Sequence, residues 1–341
     1  MKLFVALLFF FTTVFAEPYL WVTNTGSSSV SVFDIATNAL VTTISQNEGM
    51  FNAIYNLAFT PDGAYCYVSN ANPGNSISVI RTSDYSLVAN ITNGDFDDNM
   101  ILAITPDGSY VYTPNVNGNS VSVISTATNK LVVNIENSAF QSPSPIGITP
   151  DGATAWVGNF NGSIVLIDTS TNLVATEIIN PEFQGLSWIA FTPDGSYAYV
   201  TCMLNNSVSI IETSSPYTVV KTLSSFANPT YVAITPNGKY AYVTNGNSHT
   251  VNVIDTSTFE IVQSITAPNL QSCFSIAITS DGAYAYIPSA SFSLINVLST
   301  SSNTIVATIP KLGEDLDGPY FAAIQPSPMT PRAFQRPSNR R

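Results

Sequence analysis

The chain has 341 residues, of which 45% are apolar and only 9% charged, so Ser, Thr and Asn must carry the polar surface. This balance fits neither a disordered chain nor one embedded in a membrane along its length. Acidic residues outnumber basic ones by 22 to 10, and a single histidine excludes sites built from several imidazoles, haem ligation among them.

At the start of the chain, Lys2 precedes an uncharged, mostly apolar run from Leu3 to Phe15. Val14-Phe15-Ala16 then offers a cleavage site ahead of Glu17. Residues 1–16 therefore read as a secretory signal, and the mature protein as secreted or periplasmic. The run is too short to span a bilayer, and every later apolar stretch is shorter still. Export permits disulfides, but Cys66, Cys202 and Cys273 are odd in number, far apart and without C-x-x-C spacing. They are expected to be small buried hydrophobes.

Beyond the leader the sequence repeats. Thr-Pro-Asp-Gly begins at Thr60, Thr105, Thr149 and Thr192, then recurs as Thr235-Pro-Asn-Gly and Thr279-Ser-Asp-Gly, with a degraded copy at Gln325-Pro326-Ser327-Pro328. The second residues fall at 61, 106, 150, 193, 236, 280 and 326, steps of 43 to 46 residues. Each unit reads as four short β-branched strands. In one copy an apolar strand, Tyr231 to Ile234, runs into the tetrad, whose proline and glycine reverse the chain. Tyr240 to Asn245, Val251 to Asp255 and Ile261 to Ile265 follow, separated by turn residues. No segment keeps a helical period.

The phase of the repeat supplies the topology. The mature chain starts on a second strand, Tyr19 to Asn24, and ends on a lone first strand, Tyr320 to Ile324. An open stack would leave both as unpaired edges, whereas a ring lets the last strand complete the first unit. The expected fold is all-β: a seven-bladed β-propeller of four-stranded antiparallel blades over residues 17–328, followed by a basic, disordered tail over 329–341. Three residues before each tetrad proline or its equivalent stand Ala58, Ala103, Gly147, Ala190, Ala233, Ala277 and Ala323. Such uniform smallness marks the first strand as innermost, where the blades converge.

The second strands Tyr240-Ala-Tyr-Val-Thr-Asn, Tyr197-Ala-Tyr-Val-Thr-Cys and Tyr65-Cys-Tyr-Val-Ser-Asn, together with the tetrads, resemble the YVTN repeat family of secreted and periplasmic seven-bladed propellers. The resemblance covers essentially the whole mature chain. It implies a propeller akin to surface-layer and periplasmic proteins, to some propellers described as DNA-binding and, more distantly, to propeller-fold lactonases. The motifs that match are structural, so the resemblance carries no catalytic residue to this chain.

In this topology the tetrads and the turns between third and fourth strands share one face, and the remaining loops share the other. Asp62, Asp107, Asp151, Asp194 and Asp281 in the tetrads, with Asp34, Asp84, Asp168, Glu212 and Asp255 at the other turns, are expected to bond their own backbone. The loop face collects Glu48, Asp95, Asp97, Asp98, Glu314, Asp315 and Asp317, and these are the expected ligand-binding residues. Asp95-Phe-Asp-Asp-Asn99 begins like a calcium loop but lacks Gly at the sixth place and Glu at the twelfth. No cofactor is firmly indicated; Ca2+ is the one ion this weak match suggests, and solvated loop charge is the plainer reading.

His249 is a lone imidazole beside Ser248 and Thr250 and reads as a surface residue. There is no G-x-S-x-G elbow, H-E-x-x-H pair or phosphate loop. Between residues 17 and 328 only five basic residues face all 22 acidic ones, which disfavours nucleic acid. The tail, with Arg332, Arg336, Arg340 and Arg341, suits anionic envelope components or the protein's own acidic face. Asn90, Asn161 and Asn205 stand in glycosylation sequons. The expected function is an exported, non-enzymatic binding scaffold that presents its acidic loop face to a protein or glycan partner. The alternative is a lactonase-like or other hydrolase using carboxylates, with or without a divalent cation, at the central mouth.

Overall fold

The computed structural model describes residues 19–45, 51–311 and 316–327. The expected leader over residues 1–16, the expected tail over 329–341, and the expected site residues Glu48, Glu314 and Asp315 lie outside the described residues. Among those described, no helix is long and apolar enough to cross a membrane.

Seven four-stranded antiparallel sheets form the ring. Closure follows the phase of the repeat: Pro319–Ile324 pairs with Tyr19–Asn24, placing Ala323 opposite Trp21 and Ala322 opposite Val22. The first blade therefore combines the last strand of the chain with its first three. Blades two to seven each take four consecutive strands. Their first strands are innermost, as the small residues require: a Cβ built on Gly147 would lie 3.0 Å from Phe191 and 3.1 Å from the Ile189 carbonyl in the next blade.

Alternation within each strand sends apolar side chains from both sheet faces into the spaces between blades. The core is consequently divided into inter-blade clusters, such as Tyr112, Val121, Ile146, Val157 and Val165 between the third and fourth blades. All three cysteines are free and buried there, and burial pushes the thiols of Cys202 and Cys273 up to about 11 and about 12. They are packing residues, as the sequence suggested.

A second device joins the blades. The third residue of every second strand is a buried Trp or Tyr that reaches the third-to-fourth turn of the following blade, at a residue with positive φ. Where it is tyrosine the acceptor is usually asparagine: Tyr67 Oη donates to Asn129 at 2.6 Å, Tyr112 to Asn172 at 2.5 Å, Tyr242 to Asn303 at 2.6 Å and Tyr286 to Asn38 at 3.1 Å. Where it is tryptophan the turn residue is an aromatic ring instead, Tyr85 against Trp21 and Tyr217 against Trp156, both at 5.8 Å. Asparagine accepts a hydroxyl and adopts the left-handed region cheaply, while an indole is better matched by a ring. Tyr199 breaks the rule: its turn residue is Phe259, and its buried hydroxyl has no hydrogen-bond partner among the described residues.

The outer edges are protected by a repeated bulge. In each blade the register of the outermost strand slips by one residue, as between Val253 and Ile254 where Val262 is left out of the ladder. The bulged residue projects outwards, Val262 being 53% exposed, and an interrupted edge cannot template another strand.

Candidate functional site

The two faces are as expected. On the tetrad face of blades two to seven the threonine of the third-to-fourth turn donates to a tetrad glycine carbonyl, for example Thr126 to Gly108 at 2.6 Å and Thr169 to Gly152 at 2.5 Å; the first blade has Ile35 in that place. The aspartates there are consumed locally. Asp151 accepts from the Thr149 hydroxyl at 2.6 Å and the Ala153 amide at 3.0 Å, and the same pair of bonds recurs at Asp62, Asp107, Asp194 and Asp281. These bonds favour the ionised carboxylate and hold Asp107, Asp151, Asp194 and Asp281 below the ordinary aspartate range. Turn hydrogen bonds do the same for Asp34, Asp84, Asp168 and Asp255.

On the loop face, the described acidic residues do not gather around a common centre. Asp95 accepts from Asn93 in its own loop at 3.0 Å. Asp97 turns to Asn117 of the third blade, and Asp98 receives the Asn72 amide of the second at 3.4 Å. Two of the three carboxylates therefore bridge neighbouring loops, and they do not converge as a calcium loop requires. Asp317 meets Lys311 at 3.6 Å, and its carbonyl accepts from the Gly26 amide at 2.9 Å. Among the described residues no group of three His, Cys, Asp or Glu side chains could hold a metal ion. His249 is exposed, as are the sequon residues Asn90, Asn161 and Asn205.

What lies at the centre of the loop face is an uncharged cavity of about 460 Å³. All seven blades line it. The residue six places before each tetrad proline or its equivalent contributes: Tyr320, Tyr55, Met100, Ser144, Ser187, Thr230 and Phe274, in order around the ring from the first blade. This position escapes the β-ladder in every blade. In five blades the inner strand is irregular there, as between Ile54 and Leu57 or between Leu186 and Trp188. In the other two the inner strands are the short Ala103–Ile104 and Ala277–Ile278, which end before reaching it. A bulge re-aims side chains, and here it lets two consecutive residues face the axis, as with Tyr55 and Asn56, Ser187 and Trp188, Thr230 and Tyr231, and Tyr320 and Phe321.

Freed from the ladder, the backbone carbonyls at this level are met by hydroxyls from adjacent blades. Thr23 donates to Tyr55 at 3.0 Å, Ser69 to Met100 at 2.6 Å, Ser187 to Pro229 at 3.0 Å, Thr230 to Cys273 at 2.9 Å and Ser275 to Tyr320 at 3.1 Å. Ser187 and Thr230 thus stitch blades together. The rim divides into an arc of large residues on blades seven, one, two and three, and an arc of small hydroxyl residues on blades four, five and six.

Rings complete the interior. Trp188 stacks on Tyr231 with centroids 4.0 Å apart, and Phe321 lies 5.7 Å from both. Phe274 stacks on Tyr320 at 4.6 Å, and Tyr55 meets Tyr320 edge-on at 5.3 Å. Burial, with a smaller contribution from Tyr55, pushes the Tyr320 phenol up to about 12, and burial raises Tyr231 further. Both stay neutral at biological pH and cannot serve as general bases there. Asn56 is 2% exposed; its Oδ1 accepts the Leu102 amide at 3.3 Å, and its Nδ2 has no partner among the described residues. Among the described lining residues there is no carboxylate, imidazole, thiol or amine.

The charge pattern points to the acidic loops, and the alternative reading to carboxylates at the central mouth, whereas the cavity found there is lined by uncharged residues. Its signal was present in the repeat: the columns five and six places before each tetrad proline vary widely in size, Asn56 to Trp188 and Ser144 to Tyr320, whereas the column three places before is uniformly Ala or Gly.

Solved structures share the ring. One chain of Kuenenia stuttgartiensis hydrazine synthase superposes with a TM-score of 0.74 at 23% identity, over 85% of this chain and 97% of that one. A functionally unknown protein from Desulfotomaculum acetoxidans DSM 771 gives 0.76 at 19% identity, over 90% and 98%. Dihydro-heme d1 dehydrogenase NirN gives 0.65 at 15% identity, over 87% and 64%. At these identities the likeness is one of fold. A search of curated proteins found no match. The family model described as "Lactonase, 7-bladed beta-propeller" matches residues 21–230, more than half of the chain, and the protein belongs to that family.

Proposed function

We propose that the protein is an exported recognition propeller, which captures an apolar or aromatic group of a protein or glycan partner in its central cavity and performs no chemistry there. The observation that carries this reading is the lining: seven aromatic side chains and, among the described lining residues, no carboxylate, imidazole, thiol or amine to act as base or to activate a lining hydroxyl. Phe160 extends the apolar surface outwards from the cavity and is 45% exposed. The YVTN resemblance supports an envelope or extracellular setting, and variable loops on a rigid ring suit recognition.

Family membership favours a second reading, hydrolysis of a lactone by carboxylates outside the lining. The two readings separate in one experiment. Ser144 lines the cavity, is partly exposed and has little to lose by substitution, so Ser144→Phe narrows the cavity. It is expected to abolish ligand capture measured by calorimetry while the melting temperature stays within a few degrees, and neither protein should turn over a lactone panel. Lactone turnover by the wild type that disappears in Ser144→Phe would overturn the non-enzymatic reading.

A further inference from the structure

We propose that the group received by the cavity is an organic cation: an apolar body bearing a quaternary or protonated ammonium. The inference rests on the binding role proposed above and adds the ligand's charge.

Two independent features point to a cation. The first is the interior. The rings of Trp188, Tyr231, Tyr55, Tyr320 and Phe274 line the cavity. Aromatic faces are electron-rich and attract a weakly hydrated cation, most strongly where water is excluded. An anion would meet those same faces with no Lys, Arg or His among the described lining residues to compensate. The second is the field around the mouth. Of the five basic residues between 17 and 328, Arg81 and Lys130 stand at the tetrad-face ends of their strands, Lys239 follows a tetrad, and Lys221 lies on an outermost strand. Lys311 alone stands on the loop face, 3.6 Å from Asp317. Asp95, Asp97, Asp98, Glu136 and Glu182 share that face. With five carboxylates against one lysine the face is acidic, so it attracts cations and repels anions.

The acidic loops then have a role at a distance. They raise the local concentration of a cation that the rings hold, which explains an uncharged site within a strongly acidic face.

The test uses the full mature chain and three probes of similar size: phenyltrimethylammonium, its neutral isostere tert-butylbenzene, and benzenesulfonate. The reporter is intrinsic. Trp21 and Trp156 are completely buried, whereas Trp188 is partly exposed to the cavity. Phenyltrimethylammonium is expected to change the Trp188 emission saturably, to bind at least about tenfold more tightly than tert-butylbenzene, and to weaken as salt rises. Benzenesulfonate should have no effect. Tyr320→Leu keeps apolar bulk but removes a ring, and should weaken the cation about fivefold while leaving the neutral probe unchanged. If that variant fails to fold, the wild-type comparison still decides. Equal or tighter binding of tert-butylbenzene or benzenesulfonate would overturn the cation inference and leave the cavity's binding role intact. No saturable response to any of the three would overturn both.

Discussion

The tetrad face and the loop face are built from the same seven repeats, yet they spend their polar groups in opposite ways. On the tetrad face each turn aspartate is bonded within its own turn, whereas Glu212 has no such side-chain bond among the described residues, and in blades two to seven a turn threonine is tied to a tetrad glycine. On the loop face the inner strands leave the ladder, large residues gather on one arc and small ones on the other, and an uncharged cavity opens on the axis. A residue type repeated in every blade serves the scaffold, whereas a position that varies from blade to blade in an otherwise regular repeat is where a site can be built.

Acid should expose this difference most strongly. Eight aspartates of the tetrad face have their pKa values lowered in the folded protein. A lowered folded value means that the stability they contribute is fully present above the unfolded pKa of about 3.9 and is lost as pH falls through the folded values. Urea midpoints should therefore stay nearly flat from pH 7 to about 5 and fall steeply below about 4. A steep loss between pH 7 and 5 would contradict the assignment of stability to these turns.

A smaller effect is expected from one turn. Thr149 is 8% exposed; its hydroxyl donates to Asp151 and accepts the Thr154 amide at 3.1 Å. Thr149→Val leaves those partners short of a bond and should cost about 1–3 kcal/mol in chemical denaturation. Asp97→Asn on the loop face, where the contact with Asn117 is long at 3.4 Å, should stay within about 0.5 kcal/mol. Equal costs would erase the contrast between the faces.

The smallest effect sharpens the comparison from inside the scaffold. Tyr112→Phe removes the 2.5 Å bond to Asn172 and should cost about 1 kcal/mol. Tyr199→Phe removes a buried hydroxyl that has no partner among the described residues, so it should be neutral or slightly stabilising by thermal melt. A comparable loss in both would show that the tyrosine-to-turn bond contributes nothing specific.

Much of the architecture was legible in the residues. The tetrads at 43- to 46-residue steps gave the blade number, and the unpaired second strand at Tyr19 with the lone first strand at Tyr320 required closure. The uniform Ala or Gly before each tetrad named the innermost strand, and Gly147 shows why, because even a Cβ there would lie 3.0 Å from Phe191 of the next blade, tighter than ordinary contact. The roles of the turn aspartates and the buried cysteines followed from the same local logic.

The site was another matter. The sequence determined that seven sheets form and in what order, because strand alternation, turn chemistry and repeat phase are properties of neighbouring residues. Only the tertiary structure decided that Tyr55, Trp188, Tyr231, Phe274 and Tyr320, spread over 266 residues of sequence, share one cavity while Asp97 and Asp98 turn to different blades. The cause is the bulge. A residue displaced from the ladder no longer obeys the two-residue alternation by which a strand can be read, and the direction it takes is set by the blades that converge around it.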